Sequence, residues 1–98
     1  MSKVFDLKNR TFKFSQEIIS FCSKIPRNAI TNPIISQLVR SGTSVGANYA
    51  EADSAISKKE FINKISIAHK EVNETIYWLG LCKDLISSPG IDLLSRLF

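Results

Sequence analysis

Residues 57–86 read SKKEFINKISIAHKEVNETIYWLGLCKDLI, and the periodicity inside this stretch decides the fold class. Phe61, Ile65, Ala68, Val72, Thr75, Leu79, Cys82 and Ile86 recur at alternating steps of four and three, which places them on one stripe of an α-helix. Ser57-Lys58-Lys59-Glu60 forms a capping box just ahead of them, the serine oxygen reaching the amide three residues on and the glutamate reaching back. A helix over 58–87 follows, about 45 Å long at 1.5 Å per residue. Further apolar residues lie off this stripe, and Ile67, Trp78, Leu81 and Leu85 share one flank of it. They exceed what one partner face covers, so they read as an oligomer interface, with a wide intramolecular core as the alternative.

On the amino-terminal side, Asn32 and Pro33 suit a cap and a first helical position, and a second helix is predicted over 33–54. Ile35, Leu38, Val39, Val45, Tyr49 and Ala52 form its buried side. Ser41, Gly42, Ser44, Gly46 and Ala47 crowd small residues into its middle, which points to close approach by a neighbouring helix, or alternatively to a ligand on exposed backbone. Before it, Leu7, Thr11, Phe14, Ile18, Phe21 and Ile25 predict a helix over 6–25 that Pro26 ends. After the long helix, Ser87-Ser88-Pro89-Gly90 is a break, and Ile91, Leu93, Leu94, Leu97 and Phe98 predict a short fourth helix over 90–98. The expected fold is therefore all-α with four helices in a single domain, residues 1–98.

Ninety-eight residues with 44% hydrophobic and 22% charged side chains make one small globular unit, marginal alone and therefore disposed to associate. The formal charge of +4 is uneven: residues 1–50 carry seven basic and two acidic groups, residues 51–98 six and seven. A basic amino-terminal half suits an anionic partner, or simply keeps the surface soluble. No stretch approaches a membrane span or a signal core, so a cytoplasmic protein without membrane contact is expected. Cys22 and Cys82 fall at core positions and read as buried thiols. One histidine and two distant cysteines give no metal-ligand spacing. Phosphate-binding, zinc-protease and serine-nucleophile motifs are missing, so neither an enzyme nor a cofactor or small-molecule site is expected. His69 reads as a structural histidine.

Two polar sets remain. Arg40, Ser44, Asn48 and Glu51 recur along one line of the second helix and face Glu71 and Glu74 if the third packs antiparallel beside it, a network that must be paired within itself or lines a pocket between subunits. Lys8, Arg10, Lys13, Lys24 and Arg27 cluster on or next to the first helix and form the candidate nucleic-acid surface. Repetition over identical subunits multiplies such weak contacts, with strong salt dependence. No interleaved aromatic and basic pattern suggests base-specific readout.

Three blocks carry a family resemblance: RSGTSVGANYAEA at residues 40–52, SKKEF at 57–61 and IAHKEVNETIYWL at 67–79. Together they resemble the bacterial four-helix-bundle family of 23S ribosomal RNA intervening-sequence proteins, which is similar to the accessory variability determinant proteins of diversity-generating retroelements. The resemblance spans most of the chain, from Phe5-Asp6-Leu7 onward. It implies an up-and-down antiparallel four-helix bundle assembled as a ring-shaped homopentamer, without enzymatic activity, that binds RNA or a reverse transcriptase. It also puts Arg40, Ser44, Asn48, Glu51, Glu71 and Glu74 on the family's polar positions. Tyr49, Ala52 and Asp53 depart from the commoner isoleucine, glycine and basic residue at that turn. A protein-binding adaptor without direct nucleic-acid contact is the other reading.

Overall fold

The computed structural model of the protein describes residues 3–82. Three helices fill them: α1 (Lys3–Cys22), α2 (Thr31–Asp53) and α3 (Lys58–Cys82), joined by short turns. Consecutive helices run antiparallel, with α2 in the middle, packed along both neighbours, while α1 and α3 scarcely meet directly.

Each boundary has a local cause. The α-turns of α1 stop at Cys22, earlier than Ile25, because the chain tightens: the amides of Lys24 and Ile25 donate to the carbonyls three residues back, Phe21 and Cys22. Ile25 still inserts into the core, so periodicity counted it as helical although burial needs no α-turn there. At the start of α2 the capping oxygen belongs to Asn28, two residues ahead of the N-cap position Ile30, and not to Asn32. The Asn28 side-chain oxygen accepts from the amides of Ile30 and Thr31 at 2.8 and 2.9 Å. The Thr31 hydroxyl locks the turn by donating to the Pro26 carbonyl at 2.6 Å and accepting from the Asn28 amide at 3.0 Å. Pro33 thus falls within the first turn, where its missing N–H is no loss. At α3, Ser57 Oγ accepts from the Glu60 amide at 3.0 Å, which is one half of the capping box.

The four-helix bundle is corrected to three helices among the described residues. The proposed helix over 90–98, and the continuation of α3 to 87, lie outside the described residues. The apolar pattern of a nine-residue segment carries little weight, since an isolated helix in water needs about 12–15 residues. Among the described residues the core draws on all three helices. Ile18, Phe21, Cys22 and Ile25 of α1 and its turn meet Ile35 and Leu38 of α2 and Leu79 and Cys82 of α3, with Phe14, Ile34, Val39 and Trp78 packed around them. Of the stripe that decided the fold, Ala68, Thr75, Leu79 and Cys82 are buried and Phe61, Ile65 and Val72 half-buried.

The small residues of α2 serve contact with α1. A Cβ on Gly42 would come within 2.8 Å of the Ile18 side chain, and one on Gly46 within 3.2 Å of the Thr11 carbonyl oxygen. Ser15 stitches the same seam, its hydroxyl 3.2 Å from the Gly42 carbonyl and 3.1 Å from that of Thr11.

Candidate functional site

The opposite seam, between α2 and α3, is polar. Its buried end is a pair of fully enclosed hydroxyls, Ser41 and Thr75, whose oxygens lie 3.0 Å apart. Thr75 Oγ1 is also 2.7 Å from the Glu71 carbonyl, and Ser41 Oγ is 3.4 Å from that of Leu38. A threonine inside a heptad stripe is the signal that could have flagged this pair: a hydroxyl placed in the core needs a partner, and the small polar Ser41 is the residue α2 offers.

Next to it, Arg40 reaches across from α2 to two carboxylates on α3. Its Nη1 donates to Glu71 Oε1 at 3.2 Å, its Nη2 contacts Glu74 Oε2, and its Nε donates to Gln37 Oε1 at 3.0 Å. Glu74 accepts a second bond, from Trp78 Nε1 at 3.1 Å. The hydrogen bond from Trp78, then that from Arg40, holds the Glu74 carboxyl below its ordinary range. The bonds to Glu74 first, and to Glu71, push the Arg40 guanidinium up. The cluster opens to solvent: the side chains of Arg40, Glu71 and Glu74 are 44%, 19% and 39% exposed. Water therefore screens it, and it orients the helices more than it stabilises them.

The remaining members of the polar line do not join that cluster. Ser44 donates to the Arg40 carbonyl at 2.7 Å, and Asn48 donates to that of Ser44 at 2.8 Å, so both are spent on the backbone of α2 itself. Glu51 pairs instead with Lys64 of α3 at 2.5 Å, and this bond raises the lysine pKa. Gln37 and Lys64 are the partners that sequence spacing missed.

The five cations proposed for nucleic acid divide into two sets. Lys8 sits 3.6 Å from Asp53, and Arg10 sits 3.6 Å from Asp6 one turn before it. Lys13, Lys24 and Arg27 are exposed and have no ion-pair partner among the described residues.

Of the residues proposed as an interface, Ile67 and Trp78 are half-buried, Trp78 against the core, and Leu81 is 36% exposed. Leu85 lies outside the described residues. The larger exposed apolar side chains stand elsewhere: Phe12 and Ile19 on α1, Ile62, Ile76 and Tyr77 on α3. Phe12 and Ile19 edge a groove of about 520 Å³ whose other wall is Thr43, Gly46, Ala47 and Ala50 of α2. Cys22 and Cys82 are buried free thiols in one cluster. Burial, with Cys82 nearby, pushes the Cys22 thiol up to about 11, and burial raises Cys82 as well. Among the described residues no three His, Cys, Asp or Glu side chains are grouped to hold a metal, and no helix is long and apolar enough to cross a membrane.

Comparison with known proteins adds two findings. The family model described as 23S rRNA-intervening sequence protein matches residues 3–89. A solved protein of unknown function from the S23 ribosomal protein family of Bacteroides thetaiotaomicron is 34% identical, over 93% of this chain and 86% of that one, with a TM-score of 0.80. No curated protein matches. A relation to the retroelement variability determinants is not shown by these matches.

Proposed function

Since the chain belongs to the family of 23S rRNA-intervening sequence proteins, we propose that it is a non-enzymatic, self-associating helical protein of the cytoplasm that engages structured RNA or a nucleoprotein through charge and shape. The observation that carries this reading is the set of Lys13, Lys24 and Arg27, exposed and without carboxylate partners among the described residues. Cations already paired with carboxylates contribute less to phosphate binding, so these three lead and Lys8 and Arg10 assist. Their contact is to phosphate rather than base edges, the sequence-independent contact that exposed lysine and arginine side chains make most often. Self-association would set several copies of the patch side by side, and avidity would then lift a weak contact to a useful one.

Salt titration of binding to a structured RNA tests this. Three phosphate contacts per chain give an affinity loss on the order of 30-fold between roughly 50 and 200 mM salt. Lys13→Glu with Arg27→Glu removes most of that slope. Binding indifferent to both would defeat the RNA reading and favour a protein-binding adaptor, for a reverse transcriptase or another enzyme. The apolar groove between α1 and α2 supports that second reading, because its small-residue wall and the Phe12 and Ile19 ridge suit a helix of a partner protein.

A further inference from the structure

The chain has two cysteines, Cys22 and Cys82, and the fold gathers both into one buried cluster. Because α1 and α3 each run antiparallel to α2, Cys22 at the close of α1 and Cys82 in the last turn of α3 lie toward the same end of the molecule. Their side chains are only 3% and 2% exposed, and they share Ile18, Phe21, Ile35 and Leu79 as cluster neighbours. Both are free thiols, close enough for negative charge on Cys82 to oppose ionisation of Cys22. As small apolar residues they fill the core no better than alanine or valine would; what two thiols add is the ability to bond to one another. Their helices give that bond a use. Among the described residues α2 packs along both neighbours while α1 and α3 scarcely meet, so a link between these sulfurs joins the two helices that the fold connects least.

We propose that Cys22 and Cys82 are a reversible disulfide site, closed by hydrogen peroxide and reopened by dithiols, that fastens α1 to α3. Oxidation starts at Cys22. Burial pushes its thiol up to about 11, so in the closed core it is protonated and inert at neutral pH, and reaction waits for a local opening. Helix ends open most readily, and Cys22 is where the α-turns of α1 give way to tighter ones. Outside the core the effect of burial is gone, while the positive charge of Arg27 still favours the thiolate. That thiolate attacks a peroxide oxygen: an S–O bond forms, the O–O bond breaks, and the departing hydroxide takes up a proton as water. Reclosing brings the sulfenic acid to Cys82, whose sulfur attacks it; the S–S bond forms, the S–O bond breaks, and the hydroxyl leaves with the Cys82 proton as a second water. Two thiols and one peroxide thus give one disulfide and two waters. Exchange with a dithiol returns both thiols and oxidises the dithiol in their place. Where glutathione and thioredoxin keep thiols reduced, the site stays open until oxidant arrives.

The test uses the full chain, reduced and folded at a fixed micromolar concentration. It is treated with a small excess of hydrogen peroxide without denaturant, quenched with N-ethylmaleimide and digested. The expected product joins the Cys22 peptide to the Cys82 peptide within one chain, two hydrogens lighter than the reduced protein and still of single-chain size on a non-reducing denaturing gel. Closing a loop of roughly 60 residues restricts the unfolded chain, so the melting temperature rises by about 10 °C or more, and dithiothreitol reverses the rise. In Cys82→Ala the same treatment stops at a Cys22 sulfenic acid, which dimedone traps. In Cys22→Ala the remaining thiol is consumed at least about tenfold more slowly than the parent pair. Where an alanine variant fails to fold, brief trapping in the parent chain reads the same order: dimedone on Cys22 and none on Cys82.

A disulfide between two chains, sulfinic acid at Cys22 beside a free Cys82, dimedone on Cys82 ahead of Cys22, or thiols that react only after urea would each overturn the site as proposed. A bond that forms within the chain but lowers the melting temperature would overturn its role in fastening α1 to α3. The reaction uses neither RNA binding nor self-association, so its failure and theirs are read separately.

Discussion

The two seams of α2 hold their neighbours by different physics. Against α1 the contact is chiefly steric: Gly42 beneath Ile18 and Gly46 over the Thr11 backbone bring two helices together at a distance that leaves no room for a larger side chain. Against α3 it is hydrogen-bonded: a buried hydroxyl pair, then Arg40 bridging to Glu71 and Glu74, then Glu51 to Lys64. A steric seam fixes how near two helices lie and is intolerant of added volume. A polar seam fixes their register and is intolerant of a missing partner. The difference also sorts what each can do, since the steric seam borders an apolar groove while the polar one presents charge to solvent.

Substitution by size should separate them most strongly. Gly42→Leu forces a branched side chain against Ile18, which is fully buried and has nowhere to go, and should cost about 3 kcal/mol or unfold the chain. Gly46→Ala meets only a 3.2 Å contact, and its helix-propensity gain offsets most of the strain, to within about 1 kcal/mol. Urea unfolding of the two variants measures the steric seam directly. Equal effects would mean that α1 is not held at a fixed distance.

Removing a partner should hurt the polar seam by less. Thr75→Val keeps shape but strips the hydroxyl that answers Ser41 in a site closed to water, leaving Ser41 only its long 3.4 Å contact with Leu38. A loss of about 1–2 kcal/mol is expected. Adding Ser41→Ala should restore most of it, because two missing polar groups are cheaper than one stranded. A double variant no more stable than Thr75→Val would show that the pair is not coupled.

How far these seams were legible follows from what each signals in sequence. The steric one announces itself, since glycine and serine in the middle of a helix need a reason and close approach is the commonest. The stripe on α3 is equally plain because a repeat near 3.5 has few other readings. The polar seam was half visible: Arg40 and the two glutamates stand out by charge and spacing, yet Ser44 and Asn48, at the same spacing, bond to their own helix backbone. Side chains this short compete for local carbonyls, and residue type alone does not say which bond wins. Asn28 escaped as a cap because it acts through a turn before the helix begins. The fourth helix rests on apolar content in a segment too short to specify itself, and apolar spacing alone does not show that the Trp78 indole bonds to Glu74.

The smallest effect should come from charge, and its sign is fixed by Glu74. Its carboxyl accepts from Trp78 and from Arg40, which depresses its pKa in the folded state below the ordinary 4.5. The folded protein thus binds that proton less readily than the unfolded chain does, so the stabilisation is complete above the unfolded value and disappears as pH falls through the folded one. Glu74→Gln should therefore lower the melting temperature slightly at neutral pH and flatten its acid-side slope, leaving the two proteins alike once the Glu74 carboxyl of the parent chain is protonated. Because Arg40 and Glu74 are each over a third exposed, molar salt should erase much of the neutral-pH difference, while leaving that between Gly42→Leu and the parent chain intact. A salt-resistant Glu74→Gln deficit would mean that the carboxylate acts through the indole bond alone, and that the polar seam is less electrostatic than its charges suggest.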